Sequence, residues 1–225
     1  MYGKFLVEGH KTVMELMDSS FKIDAIYALE SWGLNNHVAA ETITSKELEQ
    51  ISTHENPNQV IAIVDIPDFE NVPTSIKGLN LVCDGLSDPG NVGAIIRIAD
   101  WFGVSAVYFS ENSVEVFNPK VVSSAKGSLF RMPIYYTDLK KLFQENKQLP
   151  VYGTFMKGEN IYKATLQKDG FILIGNEANG ISDELKSLVT FPITIPSFGN
   201  TESLNAAVAT GIIVSEFKRR VDFSI

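Results

Sequence analysis

A chain of 225 residues is long enough for one large domain or two small ones, and a hydrophobic content of 44% is ordinary for a globular protein. No apolar run approaches the ~20 residues that span a bilayer, and the N-terminus lacks the basic-then-apolar order of a signal peptide, so a cytoplasmic protein with no membrane partner is expected. The net charge of −8 excludes an overall basic nucleic-acid platform, and the single cysteine, Cys83, excludes an internal disulfide.

Residues 3–18 read as a turn followed by an amphipathic helix, with Val13, Leu16 and Met17 on one face. Residues 23–29 are strand-like. Residues 45–51 predict a short helix with Ser45 as its cap and Leu48 and Ile51 as its apolar side. Residues 60–64 form a further strand, completing a small α/β unit. Residues 65–78, with two prolines and several polar side chains, read as a linker. The chain is therefore divided into units 1–75 and 76–225.

The second unit alternates more regularly. Strands are predicted at 79–83, 104–109, 132–136, 151–155, 171–175 and 191–195. Helices are predicted at 92–102, 118–126, 137–146, 181–188 and 203–219. Such alternation implies a mostly parallel sheet covered by helices, an α/β fold. Cys83 falls in a strand-like run and reads as buried packing.

Three of the strands run into polar, glycine-bearing loops that open helices. The first loop is Asp84-Gly-Leu-Ser-Asp-Pro-Gly-Asn-Val-Gly-Ala-Ile-Ile-Arg97. The second is Ile174-Gly-Asn-Glu-Ala-Asn-Gly-Ile-Ser182. The third, from Pro196, gathers Asn200, Thr201, Glu202, Ser203 and Asn205, with Ser203 a candidate N-cap. The N–H groups of such helix starts can hold an anion. Three loops of this kind predict one site at the carboxyl ends of parallel strands.

Arg97 lies among Ile95, Ile96, Ile98 and Ala99. It reads either as an amphipathic helix residue with its head in water or as a phosphate clamp, which a planar guanidinium suits. Asn91, at a helix entrance, reads as a cap. Glu177 is flanked by Gly175 and Gly180, which permit tight turns. His10, His37 and His54 are scattered and no Cys/His cluster exists, so no metal site is expected. Neither phosphate-loop fingerprint is present. Lys218-Arg-Arg220 favours a helix C-terminus and is also available to RNA.

These loops carry a resemblance. Asp88-Pro-Gly-Asn-Val-Gly with Arg97, then Gly175-Asn-Glu177 with Gly180-Ile-Ser182, then Ile195-Pro196, Gly199 and Ser203-Leu-Asn205 resemble, in order, the three motifs of the SpoU (TrmH-type) RNA ribose 2′-O-methyltransferases of the SPOUT superfamily. The likeness covers residues 76–225. Residues 1–75, with Phe5-Leu-Val-Glu-Gly-His-Lys11, resemble more loosely the substrate-binding domain that often precedes the catalytic one. The resemblance implies an α/β-knot domain with a trefoil knot, S-adenosylmethionine as cofactor, rRNA or tRNA as partner and a homodimer packed through the C-terminal domain. It implies catalytic roles for Arg97, Asn91, Glu177, Ser203 and Asn205. It implies cofactor contacts from Thr154, Gly175, Asn176, Glu177, Ile195, Pro196, Ser203 and Leu204. It also proposes Arg97 as the base, which strains the rule that arginine stays protonated.

Some positions depart from the family pattern. Asn205 is followed by Ala-Ala and Glu177 by Ala-Asn-Gly180, and the segment 121–127 lacks the frequent arginine, for which Lys126 is the available replacement. Residues 1–75 hold four lysines, no arginine and twelve acids, whereas 76–225 hold 15 basic and 15 acidic residues. A shortened N-terminus or recognition of RNA by shape would each account for that acidic unit. The alternative to an enzyme is a non-catalytic RNA-binding or ribosome-assembly factor with the same fold. Retention of Asn91, Arg97, Glu177, Ser203 and Asn205 together argues against it.

Overall fold

The computed structural model describes residues 3–68 and 71–221. The chain opens with β1 (Lys4–Glu8), α1 (His10–Met17), β2 (Ile23–Ala28), α2 (Glu30–Asn36), β3 (Glu41–Thr42), α3 (Ser45–Ile51) and β4 (Val60–Asp65). These strands form one sheet in the order β1-β4-β2-β3. The stretch read as a turn before α1 is in fact the edge strand β1. It pairs antiparallel with β4, Phe5 opposite Val64 and Val7 opposite Ala62, which buries Phe5 and Val7. On α1, Val13 and Leu16 are buried as expected, but Met17 is not.

The cap of α3 is Thr44, not Ser45. Thr44 Oγ1 accepts from Glu47 N (3.3 Å), and Glu47 Oε2 accepts from Thr44 N (2.8 Å). This reciprocal pair satisfies two orphan N–H groups, which a serine one residue later cannot do. Leu48 is buried, whereas Ile51 is exposed. Helix α2 is anchored by buried Trp32, whose Nε1 donates to His10 Nδ1 at 3.1 Å.

The second sheet contains β5 (Leu79–Cys83), β6 (Val107–Phe109), β7 (Ile134–Tyr136), β8 (Val151–Asn160), β9 (Gly170–Ile174) and β10 (Phe191–Thr194). All neighbours are parallel, in the order β10-β8-β9-β5-β6-β7. The helices are α4 (Pro89–Trp101), α5 (Pro119–Ala125), α6 (Leu139–Glu145), α7 (Asp183–Lys186) and α8 (Ala206–Val221), with a 3-10 turn at Lys126–Phe130. β5 is buried along its whole length. Leu79, Leu81 and Cys83 enter the core shared with α4 and α8, and Val82 enters the core shared with α6 and α7. Two covered faces explain why this strand reads as a continuous apolar run.

The first of these cores also continues into the N-terminal sheet. Phe117, before α5, packs on Phe5 with centroids 4.6 Å apart and rings tilted by 35°, and Phe21 meets Phe130 at 5.4 Å. Among the described residues, no helix is long and apolar enough to cross a membrane.

Candidate active site

The sheet order places the C-terminal ends of β10, β8, β9 and β5 side by side. The loops after β5, β9 and β10 are those singled out by sequence, and side-chain amides join all three. Asn205 Nδ2 donates to Asn91 Oδ1 at 2.7 Å, and Asn91 Nδ2 donates to Glu177 Oε1 at 3.0 Å. Ser87 Oγ adds a long bond of 3.4 Å to Glu177 Oε2. The result is a one-way relay, donor to acceptor, from the third loop through the first to the second. Each amide polarises the next.

Local structure holds each member in place. Helix α4 begins at Pro89, three residues before the predicted start, because Asp88 is its cap: Asp88 Oδ1 accepts from Asn91 N at 2.7 Å. Asn91 therefore sits inside the first turn, not at the cap, and its side chain is free for the relay. Asn205 takes the capping role expected of Ser203. Its Oδ1 accepts from Ala207 N (3.0 Å) and Val208 N (3.2 Å), so α8 starts at Ala206. Holding two N–H groups leaves Asn205 only its NH₂ to offer, and that group points to Asn91. Ser203 and Leu204 lie exposed in the loop before it.

The second loop is pinned to the first twice more. Asn176 Nδ2 donates to the Gly85 carbonyl at 2.6 Å, and Ser182 N donates to Asp84 Oδ2 at 2.7 Å. Asn176 Oδ1 meanwhile accepts from Ala178 N and Asn179 N, closing a tight turn. A Cβ at Gly175 would collide with the Gly180 carbonyl carbon and Ile181 N, so the turn closes only with glycine there. Asp84, Ser87 and Asp88 were not foreseen as site residues. The sequence signal for Asp84 is a carboxylate directly after a wholly buried strand.

On the other side of β9, Thr154 Oγ1 donates to the Leu173 carbonyl at 3.1 Å, tying β8 to β9 near the second loop. Ile195 and Pro196 are half-buried where β10 ends. The loop beyond them is open, with Phe198 98% exposed. Arg97 lies exposed on α4, without a hydrogen bond or ion pair among the described residues. The structure thus brings Asn91, Glu177 and Asn205 together, sets Gly175, Asn176, Ile195 and Pro196 just past the ends of β9 and β10 with Thr154 inside β8 beside the end of β9, and leaves Arg97 without a partner among the described residues. Cys83 is fully buried; burial pushes its thiol up, and the nearby Glu177 and Asp84 carboxylates add to this, so it is inert packing. Among the described residues, no group of three or more His, Cys, Asp or Glu could hold a metal ion.

Residues 78–215, which carry all three loops, match the SpoU rRNA methylase family. The chain belongs to that family. Residues 1–62 match the MRM3-like substrate-binding domain. A relative, the 23S rRNA (guanosine(2553)-2′-O)-methyltransferase RlmP of Bacillus subtilis, is 31% identical over 93% of this chain and 86% of its own length. A TrmH-family structure from Porphyromonas gingivalis superposes with a TM-score of 0.85 at 35% identity, covering 97% of this chain and 90% of that one. The SpoU methyltransferase AviRb of Streptomyces viridochromogenes, solved with AdoMet, superposes with a TM-score of 0.84 at 26% identity, covering 97% and 90%.

Proposed function

We propose that this chain methylates a ribose 2′-hydroxyl of ribosomal RNA with S-adenosylmethionine as donor. The observation that carries the reading is the Asn205–Asn91–Glu177 relay, which makes one unit of the three loops. A protein that only bound RNA would have no use for a relay closed on the buried Asn91 at the ends of parallel strands. The non-catalytic alternative has no comparable feature in its favour.

The residues present fit the cofactor. Ile195, Pro196 and Leu204 offer apolar surface, and the glycine-closed turn at Gly175 and Asn176 brings backbone close without side-chain obstruction. Thr154 lies within β8 beside the end of β9, and Ser203 is exposed in the third loop. When bound there, S-adenosylmethionine supplies an electrophilic methyl carbon on a sulfonium. It would give that methyl to the ribose oxygen and leave as the neutral thioether, with the hydroxyl proton passing to solvent water. The protein's contribution is placement. Arg97, exposed on α4 and without a partner among the described residues, holds an RNA phosphate beside the ribose. It remains protonated in that role, so we assign it as clamp rather than base. Asn91, buried and held at both ends, fixes the start of α4 against the donor loops, and Glu177 holds Asn91.

Residues 76–225 carry the transfer and the trefoil knot, and residues 1–75 contribute to the choice of RNA in the cytoplasm. The donor site lies wholly within the former, so saturable binding of S-adenosylmethionine is expected by calorimetry without RNA. Absence of heat at millimolar ligand, with folded protein, would return the chain to the RNA-binding reading.

A homodimer through the C-terminal unit accounts for the apolar surface left on two neighbouring helices. Trp101 on α4 is 82% exposed and Val208 on α8 is 52% exposed, and large exposed apolar groups near a site mark interaction surfaces. The wild type is expected to sediment as a dimer and a Trp101→Asp, Val208→Asp double variant as a folded monomer. A wild-type monomer at micromolar concentration would remove this part of the reading.

A further inference from the structure

The 3-10 turn Lys126–Phe130 is wedged between α1 of the N-terminal unit and α4, the helix that carries Asn91 and Arg97. Arg131 follows the turn directly. Its guanidinium donates to Asp100 Oδ2 on α4 through Nε (3.2 Å) and Nη2 (2.8 Å), and to Glu15 Oε2 on α1 through Nη1 (3.0 Å). Ser128 Oγ also donates to Asp100 Oδ2, at 2.7 Å. Burial would push the Asp100 carboxyl up, but the bonds from Arg131 and Ser128 more than offset this and hold it low. Glu15 lies over Gly127, where any Cβ would collide with its carboxylate. Lys126, just before, has φ 55 and ψ −144, a costly conformation for a residue with a side chain. The turn keeps this strain because contacts on both sides fix its position.

We propose that Arg131 is a positioning residue. It sets the angle at which the N-terminal unit stands against α4, and so where an RNA held by that unit meets Arg97. This rests on the methyl-transfer reading above. The seam between the units is otherwise aromatic, with Phe5, Phe21, Phe117 and Phe130 at centroid distances of 4.6 to 6.3 Å. Such contacts contribute area but tolerate a range of angles. A planar fork bonded to carboxylates on two different helices does not. The Arg131 side chain is 51% exposed, and ion pairs so exposed add little to stability. What the network supplies is therefore direction.

The test uses the full chain with spin labels at introduced cysteines, Lys46→Cys on α3 and Lys140→Cys on α6; both positions are exposed and Cys83 is buried. Distance distributions are compared for the wild-type background, Arg131→Ala, Arg131→Lys and Glu15→Gln. The same substitutions, without the labels, are assayed on an unmodified 23S rRNA transcript. The expected result is a broadened distance distribution in each variant, a rise in KM for RNA of about two- to thirtyfold, and unchanged affinity for S-adenosylmethionine. The Arg131→Ala, Glu15→Gln double variant should be no worse than Arg131→Ala alone. Unchanged distributions with unchanged KM would overturn the proposal. So would a raised KM without broadening, which would mean direct RNA contact by Arg131, or a parallel loss of donor affinity, which would mean damage to α4. A wild-type chain that transfers no methyl group would overturn the function reading instead, leaving the distance distributions to decide the role of Arg131.

Discussion

Arg97→Ala should reduce methyl transfer by at least about 100-fold while leaving fold and donor binding intact. The side chain is exposed and makes no hydrogen bond or ion pair among the described residues. Its loss should therefore change stability by no more than about 0.5 kcal/mol. Donor affinity should also hold, because the proposed donor contacts lie on β8 and in the loops after β9 and β10, not on α4. What the variant lacks is a cation to hold the RNA phosphate in line. Lysine at this position should recover only part of the rate, since it keeps the charge and loses the planar fork. Single-turnover methylation of an rRNA transcript checks the effect. Near-wild-type rates for Arg97→Ala would remove this residue from the mechanism.

A dimer adds a second expectation for the same side chain. If the partner's donor loops lie near Arg97, an Arg97→Ala subunit mixed with an Asn205→Ala subunit should regain activity as a heterodimer. Asn205→Ala removes both the α8 cap and the bond to Asn91, at about 1 kcal/mol for the cap. The mixture must therefore be assayed at a temperature where both subunits are folded.

How much of this site was legible depends on what each residue answers to. The loops were legible because glycine, proline and asparagine punctuate them locally. β5 was legible to both ends because it is buried on both faces and ends at Cys83, just before the carboxylate of Asp84. β1 was not, although Phe5 and Val7 alternate correctly, because the glycines that bracket it read as a turn. α2 has weak helix formers, Gly33, Asn35 and Asn36, and depends on the burial of Trp32. The start of α8 was placed early because Ser203 satisfies the local rule for a cap. Asn205 takes that role because its other end reaches Asn91, 114 residues away in sequence. Glu177 reaches Asn91 across 86 residues. The Glu177 pairing follows from β9 lying beside β5 and the Asn205 pairing from α8 packing against α4, arrangements that local spacing does not encode. The seam through Phe117 and Arg131 was hidden for the same reason, since the linker composition pointed to separation.

The relay itself makes the sharpest prediction. Asn91→Asp keeps the size of the side chain and inverts its role toward Glu177. In the wild type, Asn91 Nδ2 donates to Glu177 Oε1 at 3.0 Å. In the variant a carboxylate oxygen replaces that nitrogen, and two carboxylates meet at the same distance. Both cannot stay ionised there, so at neutral pH the loops separate or one group takes up a proton. Asn205 still donates to the other oxygen, so the break falls on the second loop. Displacement of about 1 Å at the start of α4 is enough to lower the rate on the order of 100-fold. The sign of the pH dependence follows. The shared site raises a carboxyl pKa, so lowering pH protonates one of the pair and restores a donor where Asn91 had one. Activity of Asn91→Asp relative to wild type should therefore rise as pH falls from 8 toward about 5, the range in which a raised carboxyl titrates. Glu177→Gln should be milder than Glu177→Leu, since the amide oxygen can still accept from Asn91 and the leucine leaves that buried NH₂ unpaired. Single-turnover rates across that pH range check both expectations, and a pH-independent loss in Asn91→Asp would show that the contact with Glu177 is not what Asn91 contributes.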